Sequence, residues 1–302
     1  MIRTKGEAAG LSIVSNSTLI ALKLAAGAIT GSIAIITEAL HSLIDLLASV
    51  VAFVSVRKAD EPADAEHPYG HQKVESLAAA IEGMLILVGA GIIVYEATHR
   101  LAVGSEVSAL GVGIAVMGFS VVANLVVSTV LFRKAREHES TALEGDAAHL
   151  RTDALTSGGV LVGLALVELT DVVAFDSITA IVVAAAIVVA GLRVLRRSSG
   201  ILVDEVLPDN EMDRIEAAIA AARTPEVAGY HKLRARRAGA GRHIDLHVQY
   251  RSGTSLERAH ELSHAMRAAI EAAIPGAEVL IHAEPETSFH RPERAPGPFR
   301  AG

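Results

Sequence analysis

Two pairs of histidine and aspartate are the residues best suited to chemistry in this sequence. His41 and Asp45 share the spacing His-x-x-x-Asp with His149 and Asp153. In an α-helix, residues four positions apart lie on the same face, about 6 Å apart along the axis. Two such faces packed together offer two imidazoles and two carboxylates, a tetrahedral ligand set that suits Zn²⁺. The alternative is that the pairs are unrelated polar contacts that hold helices together.

Both pairs lie in long apolar segments of the chain. Hydrophobic residues make up 51% of its 302 residues and charged residues only 20%, and the mean hydropathy is +0.41. This is too apolar for an ordinary soluble protein and too poor in charge for a disordered one. Segments of the length that crosses a bilayer as a helix cover residues 11–31, 33–56, 76–99, 108–132, 147–169 and 172–193. We therefore expect six transmembrane spans, although any one segment alone could be a buried helix of a soluble protein.

Charge at membrane depth is costly and marks a pathway or a site. The first segment contains a single charge, Lys23, and the second and fifth contain the His-x-x-x-Asp pairs. The basic residues at the ends of the spans predict the orientation, because cytoplasmic loops are enriched in Lys and Arg. One side of the membrane carries Arg100 alone, whereas the other carries Arg3, Lys5, Arg57, Lys58, Lys73, Arg133, Lys134, Arg136, Arg193, Arg196 and Arg197. Both termini are therefore expected in the cytoplasm.

The composition also excludes several classes of function. Cysteine is absent, which excludes disulfides, thiolate metal sites and cysteine catalysis and leaves histidine and carboxylate as the strong metal ligands. A net charge of −7 lacks the basic excess of a nucleic-acid-binding protein. Nothing in the sequence is similar to a P-loop, so we expect neither ATP nor another organic cofactor.

Beyond a transmembrane domain of residues 1–205, the pattern predicts a cytoplasmic domain over residues 206–288 and a disordered tail over 289–302. Asp209 is in position to cap a helix over residues 210–223. The remaining elements, in chain order, are strands at 231–237 and 242–251, a helix at 255–274 capped by Thr254 or Ser255, and a strand at 278–282. The fold class is thus an α-helical membrane protein with an α-β-β-α-β domain of ferredoxin or metallochaperone type.

The sequence resembles the cation diffusion facilitators, a family of dimeric antiporters of divalent metals and protons, over residues 8–287. The resemblance rests on the six spans, the paired motifs, the α-β-β-α-β domain and, most specifically, the loop PADAEHPYGHQKVES at residues 62–76. It implies one transport site formed by His41, Asp45, His149 and Asp153. Some bacterial members have Asp at the position of His41. The resemblance associates the ligand set of this chain with zinc, and Cd²⁺, Fe²⁺ and Mn²⁺ are the alternative substrates.

The resemblance also implies two features near the cytoplasmic surface of the membrane. Asp64, His67 and His71 correspond to a second, weaker metal site, although their spacing alone fits a solvated polar loop equally well. Lys73 and Asp204 correspond to a charge interlock that joins the protomers. The alternative is two independent charges that reach toward water.

Further histidines lie in the cytoplasmic domain. The resemblance implies a zinc cluster that bridges the dimer, with ligands at His231, His247, His260, His282 and Glu284. The best-known bacterial form has Asp at the last position. His243 and His264 have no role in the family. The alternative is that all of these histidines are ordinary surface residues.

Together these features predict a homodimeric exporter in the inner membrane that moves Zn²⁺ out of the cytoplasm in exchange for protons by alternating access. No covalent step is needed, so we expect no enzymatic activity. One rival hypothesis is a membrane-bound metal sensor whose output is the cytoplasmic domain. Another is an intramembrane metalloenzyme, which would need an open coordination position and a general base, for which Glu38 is the one candidate.

Overall fold

The computed structural model describes the backbone of residues 4–30, 33–103, 111–170 and 174–287. Within these ranges some helical side chains are not described, among them those of His41 and Asp45. The predicted tail falls outside the described residues. The chain divides into two compact units, Met1–Asp204 and Glu205–Gly302.

The first unit consists of long helices. They are α1 (Lys5–Thr30), α2 (Ile33–Ala59), α3 (Lys73–Val103), α4 (Gly111–His138), α5 (Thr141–Thr170) and α6 (Ala174–Leu202). Among the described residues, four stretches are long and apolar enough to cross a membrane: Lys5–Ala25, Lys73–His99, Gly118–His138 and Ser177–Leu202. The helices extend beyond the apolar segments at their charged ends, because backbone hydrogen bonding continues where side chains become polar.

Small residues allow these helices to approach closely. α3 packs along α6, α4 along α5, and α1 along α2. A Cβ atom added at Gly83 of α3 would lie 3.0 Å from the backbone nitrogen of Leu195 in α6. In the same way, Gly145 of α5 leaves room for the fully buried Glu82 and for Ala79 of α3. Close backbone approach at small residues is the usual way in which membrane helices pack.

The second unit is a small α/β domain. Its elements are α7 (Asp209–Ala222), β1 (Val227–Ala238), β2 (Gly241–Tyr250), α8 (Leu256–Ala273) and β3 (Ala277–Pro285). The sheet has the order β1-β2-β3. β1 and β2 are antiparallel, whereas β2 and β3 are parallel, as expected for strands joined through the crossover helix α8. The α-β-β-α-β prediction is therefore confirmed.

One face of this sheet forms the core of the domain. Ile244, Leu246 and Val248 alternate along β2 and are buried with Ile219 of α7 and Ile270 of α8. The residues between them on β2 point to the opposite face, because successive side chains of a strand alternate. The histidines of β2 thus lie on the face of the sheet that the two helices leave open.

Two local predictions for this domain had different outcomes. Ser255 caps α8, and its hydroxyl accepts a hydrogen bond from the backbone N–H of Arg258 at 3.2 Å. The prediction that Asp209 caps α7 is wrong, because Pro208 occupies the N-cap position without a side-chain hydrogen bond. Asp209 is instead the first helical residue, where a carboxylate still interacts favourably with the helix N-terminus.

Candidate metal centres

The fifth helix brings one of the two His-x-x-x-Asp pairs together as predicted. His149 Nε2 lies 3.9 Å from Asp153 Oδ2, one helical turn away. The His149 side chain is 9% exposed and that of Asp153 18%. The side chains of His41 and Asp45 lie outside the described residues. Their backbone belongs to α2, which packs against α5.

A cavity of about 370 Å³ lies beside this pair, among the helices of the first unit. Its lining includes His149 and Asp153 from α5, Ser42 from α2, and Asn16 and Lys23 from α1. Much of the remaining lining is aliphatic, so the cavity combines a few polar side chains with apolar ones. A largely apolar concave space with a few polar groups is the usual form of a site for a small ligand.

A buried polar network lies one turn before His149 on the same helix. Asp146 is fully buried, and its Oδ1 accepts hydrogen bonds from the hydroxyls of Ser12 at 3.1 Å and Ser49 at 3.0 Å. Asn16 donates to Ser49 Oγ at 2.9 Å. The network joins α1, α2 and α5, and one of its members, Asn16, also lines the cavity. The sequence pattern does not mark Asp146 as functional, although its position three residues before His149 puts both on one helix face.

The loop between α2 and α3 brings its three predicted ligands together. Asp64 Oδ2 lies 3.2 Å from His71 Nε2, and Asp64 Oδ1 lies 3.4 Å from His67 Nδ1. The two imidazole ring centroids are 4.6 Å apart. Donor atoms of the three residues all lie within 4.8 Å of one another, and His71 is buried whereas the other two are exposed. This geometry suits a single divalent cation.

The backbone of the same loop prepares Asp64 as a ligand. Asp64 Oδ1 accepts hydrogen bonds from the N–H groups of His67 at 2.7 Å and Glu66 at 2.9 Å. These backbone donors, that of His67 most of all, hold the pKa of Asp64 below its ordinary value. The carboxylate is therefore kept in the charged form that binds a metal.

Lys73 and Asp204 form an ion pair within one chain. Lys73 Nζ lies 2.7 Å from Asp204 Oδ1 and 3.4 Å from the carbonyl oxygen of Leu202. Lys73 is the first residue of α3, and Asp204 follows α6 with a left-handed backbone φ of 60°. The contact thus connects the N-terminal end of α3 with the C-terminal end of α6, two helices that pack along their length.

The open face of the sheet in the second unit carries a cluster of histidines around one buried acid. His231, His247 and His282 are register partners across β1, β2 and β3. Glu284 Oε1 lies 2.6 Å from His247 Nδ1 and 3.5 Å from His282 Nε2, and its Oε2 lies 3.5 Å from His231 Nε2. Ligand atoms of His231, His247 and Glu284 lie within 4.8 Å of one another.

A bulge shapes one edge of this cluster. The register between β1 and β2 shifts between His231 and Arg234, and Lys232 has a left-handed φ of 52°. A bulge changes the direction of the side chains on either side of it. Three imidazole nitrogens with one carboxylate are a ligand set that suits zinc. The side chain of Glu284, one methylene longer than that of Asp, lies within 3.5 Å of all three histidines.

His260 is not part of this group in the single chain that the structure describes. Its ring lies 4.4 Å from that of His264, edge to face, on the surface of α8. His243 Nδ1 lies 3.2 Å from Glu278 Oε2 on the neighbouring strand. The assignment of His260 as a ligand therefore stays a prediction that depends on a second subunit.

Comparison with known proteins gives matches along both units. The family model of the cation efflux transmembrane domain matches residues 10–203, and that of the cation efflux protein cytoplasmic domain matches residues 207–286. An uncharacterized transporter of Synechocystis sp. is 34% identical over 289 residues, which cover 95% of this chain and 93% of the relative. The cation-efflux pump FieF of Serratia proteamaculans is 33% identical over 269 residues, 89% of each chain. The metal-bound C-terminal domain of the CzcD transporter from Thermotoga maritima is 29% identical, with a TM-score of 0.25, and covers 28% of this chain and 100% of that one.

Proposed function

Because the chain belongs to the cation diffusion facilitator family of cation efflux transporters, we propose that it exports Zn²⁺ from the cytoplasm in exchange for protons. The observation that carries the proposal is the pair His149 and Asp153, one turn apart on α5 beside a cavity among the long apolar helices. His41 and Asp45 complete the transport site from α2. Two imidazoles and two carboxylates favour Zn²⁺ over harder cations such as Mn²⁺.

Proton exchange follows from the chemistry of these ligands. Imidazole and carboxylate bind a metal only when they are deprotonated, so protons and Zn²⁺ compete for the same atoms. Zn²⁺ that enters from the cytoplasm displaces protons, and protons that enter from the other side displace Zn²⁺. An inward proton gradient then drives export if the helices alternate access between the two sides.

The remaining metal sites and the assembly belong to the same proposal. The chain is a homodimer in the bacterial inner membrane with both termini in the cytoplasm. Asp64, His67 and His71 form a weaker site at the cytoplasmic end of the helices, and Lys73 with Asp204 contributes to the protomer contact. His231, His247, His282 and Glu284 hold zinc in the cytoplasmic unit, with His260 supplied by the partner subunit. Donor atoms within 4.8 Å of one another support the loop and sheet clusters.

The test is metal and proton flux in vesicles reconstituted with the purified chain. We expect Zn²⁺ to move faster than Cd²⁺, Mn²⁺ or Fe²⁺, and an internal pH dye to report protons moving in the opposite direction. Asp153→Ala should abolish Zn²⁺ flux without loss of folded protein. The matched control is Asp245→Ala, which also removes a carboxylate. Asp245 lies on β2 of the second unit, where it pairs with Arg234.

Near-normal Zn²⁺ flux in Asp153→Ala would remove α5 from the transport site. Zn²⁺ flux without any proton movement would contradict antiport while leaving export intact. No flux of any of the four metals, from a chain that binds zinc, would favour a metal sensor instead.

A further inference from the structure

Lys23 is a charged residue of the first span that the proposed transport mechanism does not use. It lies in α1 and is only 5% exposed. Its Nζ donates a hydrogen bond to Ser42 Oγ of α2 at 2.7 Å. An ammonium group at membrane depth is costly unless a negative charge balances it. A lysine at this depth is therefore best placed where it shares its surroundings with a carboxylate.

Lys23 lines the cavity beside the proposed transport site. Lys23 and Ser42 line the same space of about 370 Å³ as His149 and Asp153. Ser42 holds the ammonium group on the side of the cavity formed by α1 and α2, and Asp153 brings a carboxylate from α5. A lysine and the carboxylate proposed to bind the transported metal thus line the same cavity.

A second cation in this volume interacts strongly with the first. Charges separated by several ångströms in a poorly polarisable surrounding repel or attract far more than they do in water. An ammonium group that shares a cavity with the carboxylate of Asp153 would stabilise that carboxylate while no metal is bound. It would repel a divalent cation that binds to the same carboxylate.

We propose that Lys23 is the built-in counter-cation of the transport site. It balances the ligand carboxylates in the metal-free transporter, and it keeps metal affinity low enough for the metal to leave. The inference rests on the proposed function, in which His149 and Asp153 hold the transported ion. It adds a residue that sets the balance between binding and release without being a ligand.

The test compares Lys23→Met and Lys23→Gln with the unchanged chain, in the full-length protein. Gln can keep a hydrogen bond to Ser42, so the two variants separate the charge from the contact. We expect both to tighten Zn²⁺ binding at the transport site at least about ten-fold. In vesicles, the KM for Zn²⁺ should fall together with the maximal rate, because release becomes slow. Lys23→Arg keeps the charge and should restore both values.

Each Lys23 variant is also combined with Asp153→Ala. Subtracting the Zn²⁺ binding isotherm of this double variant from that of the single variant leaves the binding at the transport site. Lys58→Met is the matched control for loss of a positive charge, since Lys58 is exposed at the end of α2 and pairs with Glu61. Its KM should stay at the value of the unchanged chain.

The outcomes separate the inference from the proposed function. If Asp153→Ala abolishes transport but the charge-removing variants keep the original KM, or bind Zn²⁺ more weakly, the counter-cation role of Lys23 is wrong. If Asp153→Ala still transports Zn²⁺, the transport-site assignment itself is wrong, and the role of Lys23 is overturned with it.

Discussion

His247 Nδ1 lies 2.6 Å from Glu284 Oε1, between two parallel strands that helix α8 connects. Glu284 is buried, although it lies on the open face of the sheet. The contact makes one carboxylate the centre of three histidines. Several predictions for the metal sites and for the fold depend on such contacts between elements.

The histidine cluster should bind zinc in a fragment of residues 205–302, which has its own hydrophobic core. We expect the fragment to dimerise and to lose high-affinity zinc binding in the double variant His247→Ala, His282→Ala. Binding should weaken as the pH falls, because protons compete with Zn²⁺ for the same imidazole nitrogens. Calorimetry measures the affinity. The control is His243→Ala, because His243 lies on the same strand but pairs with Glu278. Equal zinc affinity in the unchanged fragment, the double variant and this control would exclude the cluster as the zinc site.

Replacing His41 should change the selectivity of transport. In His41→Asp, a carboxylate takes the place of an imidazole, which makes the ligand set harder and more negative. We expect the ratio of Mn²⁺ or Cd²⁺ flux to Zn²⁺ flux to rise in reconstituted vesicles. His99→Asp makes the same chemical change at an exposed position of α3, beside Tyr95, and should leave the ratio unchanged. An unchanged ratio in both variants would show that His41 does not set selectivity.

Glu211 should make the stability of the second unit depend on pH. It connects α7 to both strands of the hairpin: Arg242 Nε donates to Glu211 Oε2 at 2.9 Å, and Arg237 donates to Oε1. Burial raises the pKa of Glu211, but the two guanidinium groups lower it more, and the pKa lies below its ordinary value of 4.5. The unfolded chain then binds more protons in this range, so stability falls as the pH drops from about 5 to about 3.

In Glu211→Gln this acid-dependent loss should become shallower, and stability at neutral pH should fall by about 1–2 kcal/mol because charged hydrogen bonds are lost. Urea unfolding of the fragment at a series of pH values measures both effects. Glu216→Gln, on the exposed face of the same helix, should keep the original pH dependence. If the free energy of unfolding depends on pH in the same way in the unchanged fragment, Glu211→Gln and Glu216→Gln, the role of Glu211 is contradicted.

Gly145 should be intolerant of a side chain. A Cβ atom there would lie 3.2 Å from Cα of Ala79 and would overlap the carboxylate of the buried Glu82. We expect Gly145→Ala to destabilise the packing of α3 on α5 by about 1–3 kcal/mol. Thermal unfolding in detergent measures the change. Gly118→Ala in α4, where a Cβ atom meets nothing within 4 Å, should be neutral or stabilising; equal melting temperatures for Gly145→Ala and the unchanged chain would contradict the close approach.

The sequence predicted the classes of element well and their ends less well. Apolar content indicates where lipid lies, so α6 was expected to end near residue 193, whereas it continues to Leu202. Apolar content places the start of the fifth span at residue 147, so Asp146 falls outside it. Its partners Ser12 and Ser49 come from other helices, and such long-range contacts have no local sequence signal.

The candidate ligands of the second unit show the same limit of sequence-based prediction. Alternation along β2 predicts that His243 and His247 share a face, but it does not say which of them meets Glu284. That depends on the parallel register of β3, in which His282 pairs with His247 and Glu278 with His243. Register depends on how α8 crosses the sheet, which composition alone does not specify.

The alignment of His231, His247 and His282 across all three strands also has a consequence for how the second unit assembles. The antiparallel hairpin can form locally, but the third strand joins only after α8 has closed a much longer loop, which costs chain entropy. A metal ion held by ligands from all three strands would bind tightly only once that last strand is in place. Zinc would then act as a reversible cross-link that preferentially slows unfolding, because the interactions it adds form late in folding.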